Sequence, residues 1–419
     1  MNEDFSRRSF VQAVAKSCLG VSLLPGLASI AAAANPSGGK KNKRMIYLFM
    51  SGAMSQIDTF DPKPGRDGQG PTGVIRTKLP GVQFGEHFPK LAAMADKLAI
   101  IRSMNSTTGA HGPGQYLMRT NYTEIASIVH PGWGSWLQKT QGRSHPSLPA
   151  SVQVGGGQGP GWLGTAYAPV PVGDPDKGLE NTKPPAYMTD QLFDHRMDLA
   201  AEFDKPFRKR TIGNLEVDGY DELYRDAIGL LRSKDLAAFD IQAEPQSIQE
   251  KYGQSKLGRG CLLARRLIEH GVQFVEVNYG GWDHHNELAE SMPEHGSTLD
   301  QALSTLLGDL EDRGLLEETL VVVGTEFGRK PSINARGGRD HHPAAYSCLM
   351  AGGGINVGQV YGSTDKDAFY ADDNPVSVED FNATIGAALG LPIEQEFFSP
   401  QGRPFTIAHD GIPIDAIVS

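Results

Sequence analysis

Short, largely apolar runs alternate along this chain with longer stretches in which apolar residues recur every three or four positions. Met45 to Met50, Leu98 to Met104, Pro149 to Val154, Val272 to Val277, Thr319 to Val323 and Tyr346 to Ala351 are the short runs. A brief continuous apolar segment is what a strand buried on both faces presents. The helical spacing is clearest in Leu257, Cys261, Ala264, Leu267 and Ile268, and in Leu299, Ala302, Leu303, Leu306, Leu307 and Leu310. Gly271 and Gly314 stop these two helices, and a strand follows at once. Such alternation predicts an α/β fold, a doubly wound and mainly parallel sheet flanked by helices.

Further helices are expected from Tyr116 onward, over Trp133 to Lys139, within 196–270, from Thr298 to Arg313 and from Val378 to Leu389. Pro404 to Ile407 and Gly411 to Ile414 read as a small terminal β piece. Residues 155–190 carry Gly155-Gly156-Gly157 and several prolines; with the helical stretch after them, they predict a loop-rich and helical insertion over about 155–256 that serves as a cap.

Ahead of the first strand the pattern changes character. Ser6-Arg7-Arg8-Ser9-Phe10-Val11 fits a twin-arginine export signal, followed by a mildly apolar stretch and Ala31 to Ala34 as a cleavage site. The expectation is a signal over 1–34, a linker over 35–44 and one large domain over 45–419. Gln12, Lys16 and Pro25 make the apolar stretch a poor membrane span, so no stable membrane insertion is expected after cleavage. The protein is expected in the periplasm or outside the cell.

Charge narrows the function. With 39 Lys and Arg against 49 Asp and Glu, the chain has a formal net charge of −10, which argues against nucleic acid as a partner. The two cysteines of the domain, Cys261 and Cys348, each lie in an apolar segment and read as buried free thiols; no cysteine cluster suggests zinc–sulfur or haem binding.

Candidate chemistry gathers where apolar runs end, as ligands do in open α/β sheets. The strand at 272–277 leads into Gly280-Gly281-Trp282-Asp283-His284-His285, and the valine strand leads into Thr325-Glu326-Phe327-Gly328-Arg329. Asp340-His341-His342 follows shortly after. Carboxylate and imidazole together suit a divalent metal. The expected ligands are Asp283, His285, Glu326, Asp340 and His341, with the choice between His284 and His285, and between His341 and His342, left open. Arg329 is expected either to pair with Glu326 or to hold an anionic substrate. His111, at an expected helix start, is the candidate base or nucleophile, with Ser106, Thr107 and Thr108 as rival hydroxyls. Asp58 and Asp61 are further ligand candidates.

The blocks M-I-Y-L-F-M-S-G-A-M-S-Q-I-D-T-F-D-P-K-P, G-G-W-D-H-H, T-E-F-G-R, G-R-D-H-H-P and A-G-G-G-I-N-V-G-Q-V-Y-G-S-T-D resemble, in order, the exported bacterial family called domain of unknown function 1501. That family is similar to the alkaline phosphatase and sulfatase superfamily. The resemblance implies an alkaline-phosphatase-like sheet, a divalent metal (zinc, manganese or calcium) at the strand ends, and hydrolysis of a phosphate or sulfate ester. The implied partner is an anionic ester, either a small molecule or a polysaccharide. Glu326 falls where the superfamily has an Asp, and His341 suits its late His ligand. Phe327 stands where a His ligand is expected, Ser51-Gly52 where an Asp is expected, and no hydroxyl occupies the nucleophile position near His111. These departures imply a single-metal site. The alternative is a non-catalytic exported binding or assembly protein, with a degenerate metal site and an exported protein partner.

Overall fold

The computed structural model describes residues 43–180, 182 and 185–419. The expected export signal lies outside the described residues, as does nearly all of the linker. Eight strands form one sheet: β1 (Arg44–Met50), β2 (Ala99–Met104), β3 (Ser151–Val154), β4 (Val170–Val172), β5 (Phe274–Tyr279), β6 (Thr319–Gly324), β7 (Tyr346–Gly352) and β8 (Gln359–Tyr361). Their order across the sheet is β8-β2-β7-β6-β1-β5-β3-β4. Every pairing is parallel except those of β7, which runs against both β6 and β2. The sheet is therefore mainly parallel, as the pattern predicts.

Side chains of a strand alternate between faces, and β1 shows what that does here. Ile46, Leu48 and Met50 join one core, and Met45, Tyr47 and Phe49 join the other. Seven longer helices matter to the argument: α1 (His111–Thr120), α2 (Trp133–Gln141), α3 (Asp190–Arg210), α4 (Leu215–Leu231), α5 (Lys256–Glu269), α6 (Leu288–Asp312) and α7 (Val378–Ala388). The first core is closed by α5 and α6 through Leu263, Leu267, Leu303 and Leu307. The second is closed by α1, α2 and α7 through Leu117, Trp136 and Phe381. A layer of helices on each face is the doubly wound arrangement.

Three differences from the sequence reading have physical causes. The edge strands β4 and β8 are short, and Pro171 sits in β4, so neither shows an apolar run. Helix α6 begins at Leu288 rather than Thr298, running through Pro293, which removes a single helical N–H. Gly411 to Ile414 forms no strand. The Ile412 and Ile414 N–H groups instead donate to Asp380 Oδ1 (2.8 Å) and Thr384 Oγ1 (2.9 Å), tying the tail to α7. Cys261 and Cys348 are buried and free, with burial pushing the Cys348 thiol up to about 12. Among the described residues, no helix is long and apolar enough to cross a membrane.

Candidate metal centre

The loops after β1, β5 and β6 meet at one end of the sheet, and α1 begins beside them. Gly52 makes the meeting possible. Its φ is +114°, and a Cβ there would stand 2.6 Å from the backbone nitrogen of Asp283. Its N–H donates to Glu326 Oε1 at 2.8 Å, and its carbonyl accepts from Arg329 Nη2. Gly114 does the same for the helix, since a Cβ there would lie 3.1 Å from that of Glu326. The expected strand-end carboxylates and histidines thus reach one place.

Three imidazoles are held in the same manner. His341 Nδ1 lies 2.7 Å from the Gly109 carbonyl, His111 Nδ1 lies 2.7 Å from Glu326 Oε1, and His285 Nδ1 lies 3.3 Å from Asp340 Oδ1. A carbonyl or a carboxylate oxygen accepts, so a proton on each Nδ1 satisfies these contacts and leaves Nε2 as the atom of each ring that can take a ligand. Those Nε2 atoms converge. His285 and His341 face each other at 2.9 Å, and Asp283 Oδ1 lies 3.2 Å from His285, 3.3 Å from His341 and 3.4 Å from His111. His111 Nε2 is buried and has no hydrogen-bond partner. Lone pairs turned toward one another repel unless a cation lies among them. Tetrahedral bonds of about 2.0 Å to zinc would set neighbouring ligand atoms roughly 3.3 Å apart, close to the separations from Asp283, and the ligand atoms of His111, Asp283 and His341 all lie within 4.8 Å of one another. The donors therefore fit a divalent metal.

Charge around the cluster is arranged to match. Burial works to raise the Asp283 carboxyl, but the hydrogen bond and charge of Arg329 prevail and bring it to about 2. Burial and the Arg329 charge hold His341 below the ordinary imidazole range, against the hydrogen bond to Gly109. Arg329 is itself buried, with Nε on the Ala53 carbonyl (2.8 Å), Nη1 on the Arg339 carbonyl (3.0 Å) and Nη2 on Gly52 and Asp283. Its pairing is with Asp283 rather than Glu326, and its donors face the protein. Glu326, fully buried, also receives the Gln115 amide at 3.3 Å, and Asp340 receives the Asn334 amide at 3.1 Å.

The two members of each histidine pair go to different places. His341 bridges to Arg329 and His342 to Gly328 in a two-residue antiparallel ladder, so their side chains diverge. His342 goes to the Phe369 carbonyl. His284 packs near Trp282 and His295 instead of joining the cluster, and its burial brings it down to about 4. Asp58 and Asp61 are elsewhere: Asp58 binds Arg339, and Asp61 binds Lys63 at 3.0 Å. Ser106 and Thr108 accept from backbone N–H groups in the turn before α1, and Thr107 is exposed. Among the described residues, no serine or threonine hydroxyl hydrogen-bonds to His111, Asp283, His285 or His341. Sequence reasoning missed Gln115, although it lies one helical turn after His111 and so shares its face.

A strand-end cluster of imidazoles and a carboxylate on a doubly wound sheet is thus the class of site this molecule presents. The chain belongs to the family described as Protein of unknown function (DUF1501), whose model matches residues 42–418. No curated protein matches its sequence. Among solved structures, it is similar to the lipoteichoic acid synthase LtaP from Listeria monocytogenes, with 9% identity over 85% of this chain and 74% of that one, at a TM-score of 0.39. The PsFucS1 sulfatase from Pseudoalteromonas sp. gives 13% identity over 93% and 75%, at 0.38. The C-terminal periplasmic domain of EcEptC from Escherichia coli, in complex with Zn, gives 8% over 89% and 97%, at 0.37. Similarity at this level identifies no activity.

Proposed function

We propose that this protein is an exported metal-dependent hydrolase of phosphate or sulfate esters, with one divalent ion held by His111 Nε2, Asp283, His285 Nε2 and His341 Nε2. The observation that carries the reading is the pinning of Nδ1 on each ring, which turns His111 and His341 with Asp283 into one group of ligand atoms within 4.8 Å of one another, with His285 Nε2 2.9 Å from His341. Three nitrogens and one oxygen, with no thiolate, suit zinc or manganese; calcium, which prefers a shell of oxygens, fits poorly. When bound, the ion would polarise the ester oxygen as a Lewis acid.

The chain's own residues do the rest. Glu326, Asp340 and the Gly109 carbonyl hold the imidazole tautomers, and Arg329 keeps Asp283 ionised. His111 opens α1, whose N-terminus has no side-chain cap, so an anionic group beside the cluster meets the positive end of that helix. This takes over the anion-binding role expected of Arg329. Among the described residues no serine or threonine hydroxyl bonds to the donors, so water is the attacking group in this reading. The ligand side chains are partly exposed, which leaves the cluster open to a small ester or to the sulfated or phosphorylated end of a polysaccharide. Export through the twin-arginine route rests on Ser6 to Val11.

The test is elemental mass spectrometry of the purified full chain together with turnover of p-nitrophenyl phosphate and p-nitrophenyl sulfate. About one equivalent of divalent metal, lost in His341→Ala, and ester cleavage abolished by chelation are expected. Metal without turnover would favour the binding or assembly protein, and a chain that binds no zinc or manganese would overturn the reading.

A further inference from the structure

Helix α3 is anomalous among the helices. It has 21 residues and none of them is buried. Every residue from Asp198 to Arg210 is exposed. A lone helix of this length is marginal in water, since packing of an apolar face supplies most helical stability in proteins. Pro206 lies inside it and weakens it further. Its first half is tethered: Tyr224 reaches the Met197 sulfur at 3.7 Å, and Arg232 lies over the Phe193 ring at 4.9 Å. Beyond Met197, the Arg208–Asp221 contact at 3.0 Å is its ion pair with α4 among the described residues.

The exposed part has an apolar face all the same. Leu199, Phe203 and Phe207 recur at four-residue spacing and so share one side of the helix. Phe203 is 81% exposed, and Ile212, just beyond the helix end, is 84% exposed. Two large aromatic residues on an unsupported helix mark a surface that packs against something.

Charge says what that something is. Asp190, Asp194, Asp198, Glu202 and Asp204 make the helix acidic, relieved by Arg196, up to its last third; Lys205, Arg208, Lys209 and Arg210 make the last third basic. Two copies laid antiparallel place the acidic stretch of each beside the basic end of the other. Centring the stripe puts the dyad at Phe203, with Leu199 of each copy against Phe207 of the other and Asp198 beside Arg208. A parallel arrangement would set like charges together. We infer that α3 is a homodimer interface, formed by antiparallel pairing with α3 of a second copy of this chain.

The experiment is analytical ultracentrifugation of the full chain at micromolar concentration, with circular dichroism as the check on folding. The wild type is expected to sediment as a dimer. Phe203→Glu, at a position already exposed in one copy, is expected to weaken dimerisation at least about tenfold without loss of folding. Two charge-reversed variants, Arg208→Glu and Asp198→Lys, are each expected to be monomeric alone and to dimerise when mixed. A monomeric wild type would overturn the inference and leave the stripe to a different exported protein. A dimer that persists in Phe203→Glu would overturn it too, and a failure of the mixed pair would overturn the antiparallel arrangement.

Discussion

Two carboxylate clusters lie beside each other in this molecule and are built on opposite plans. At Asp58 every hydrogen-bonding valence is filled. Arg339 grips both oxygens, from Nε at 2.7 Å and Nη2 at 3.1 Å, while Ser55 and Thr72 supply one hydroxyl each. The remaining guanidinium hydrogens go to the carbonyls of Gly68, Gln69 and Pro331. Both side chains are 0% exposed. At Asp283 the carboxylate is 47% exposed, and the imidazoles around it present lone pairs to one another. The closed cluster joins the 58–72 segment to the 331–339 loop and leaves nothing over. The open cluster leaves unspent the donor atoms a cation needs. Charge alone would not separate the two; burial and hydrogen-bond accounting do.

The largest effect should come from opening the closed cluster. Arg339→Ala strands a buried carboxylate and should cost about 3–5 kcal/mol in denaturant unfolding. Wild-type stability in that variant would break the comparison. Glu326→Gln acts on the open cluster through a neighbour of the ligands. The amide can present an N–H to His111 Nδ1 in place of an acceptor, so affinity for zinc should fall about 10–100-fold while the melting temperature holds. Competition with a chelator of known affinity measures this, and unchanged affinity would remove Glu326 from the site.

His130 supplies the smallest and sharpest contrast, an imidazole satisfied by the fold. Its Nδ1 is 2.7 Å from the Tyr116 hydroxyl and its ring stacks on Tyr122. Burial, then the charges of Arg403 and His409, hold it at about 4 against an ordinary 6.5. A depressed folded pKa means stability present above pH 6.5 and lost as pH falls toward 4. His130→Gln should make acid unfolding shallower in that window, with zinc affinity unchanged. An unaltered acid profile would count against this account.

Much of the centre of the sheet was legible because strands buried on both faces are largely apolar. The edges were not, since Val170-Pro171-Val172 is too short to stand out from its loop. The direction of β7 was not legible either, because a residue pattern carries no orientation. The strand-end positions of Asp283, His285, Glu326 and His341 could be read from where apolar runs stop. What could not be read is which carboxylate faces a ring Nδ1 and which faces Nε2. That difference depends on how Gly52 and Gly114 let three separate segments close up, and the distances involved exist only in the assembled fold.

The position of β1 has a consequence for how the chain is made. Among the described residues, the first strand to be made lies in the middle of the sheet, where Met45 pairs with Phe274 on one side and Leu320 on the other. Neither neighbour exists when β1 leaves the ribosome. The first strand must stay unpaired through most of translation, a wholly apolar segment open to aggregation or to a chaperone's grasp. Contacts this distant in sequence also slow folding once the chain is complete. His111, Asp283, His285 and His341 come together only after that closure, so the site is among the last things the nascent chain acquires.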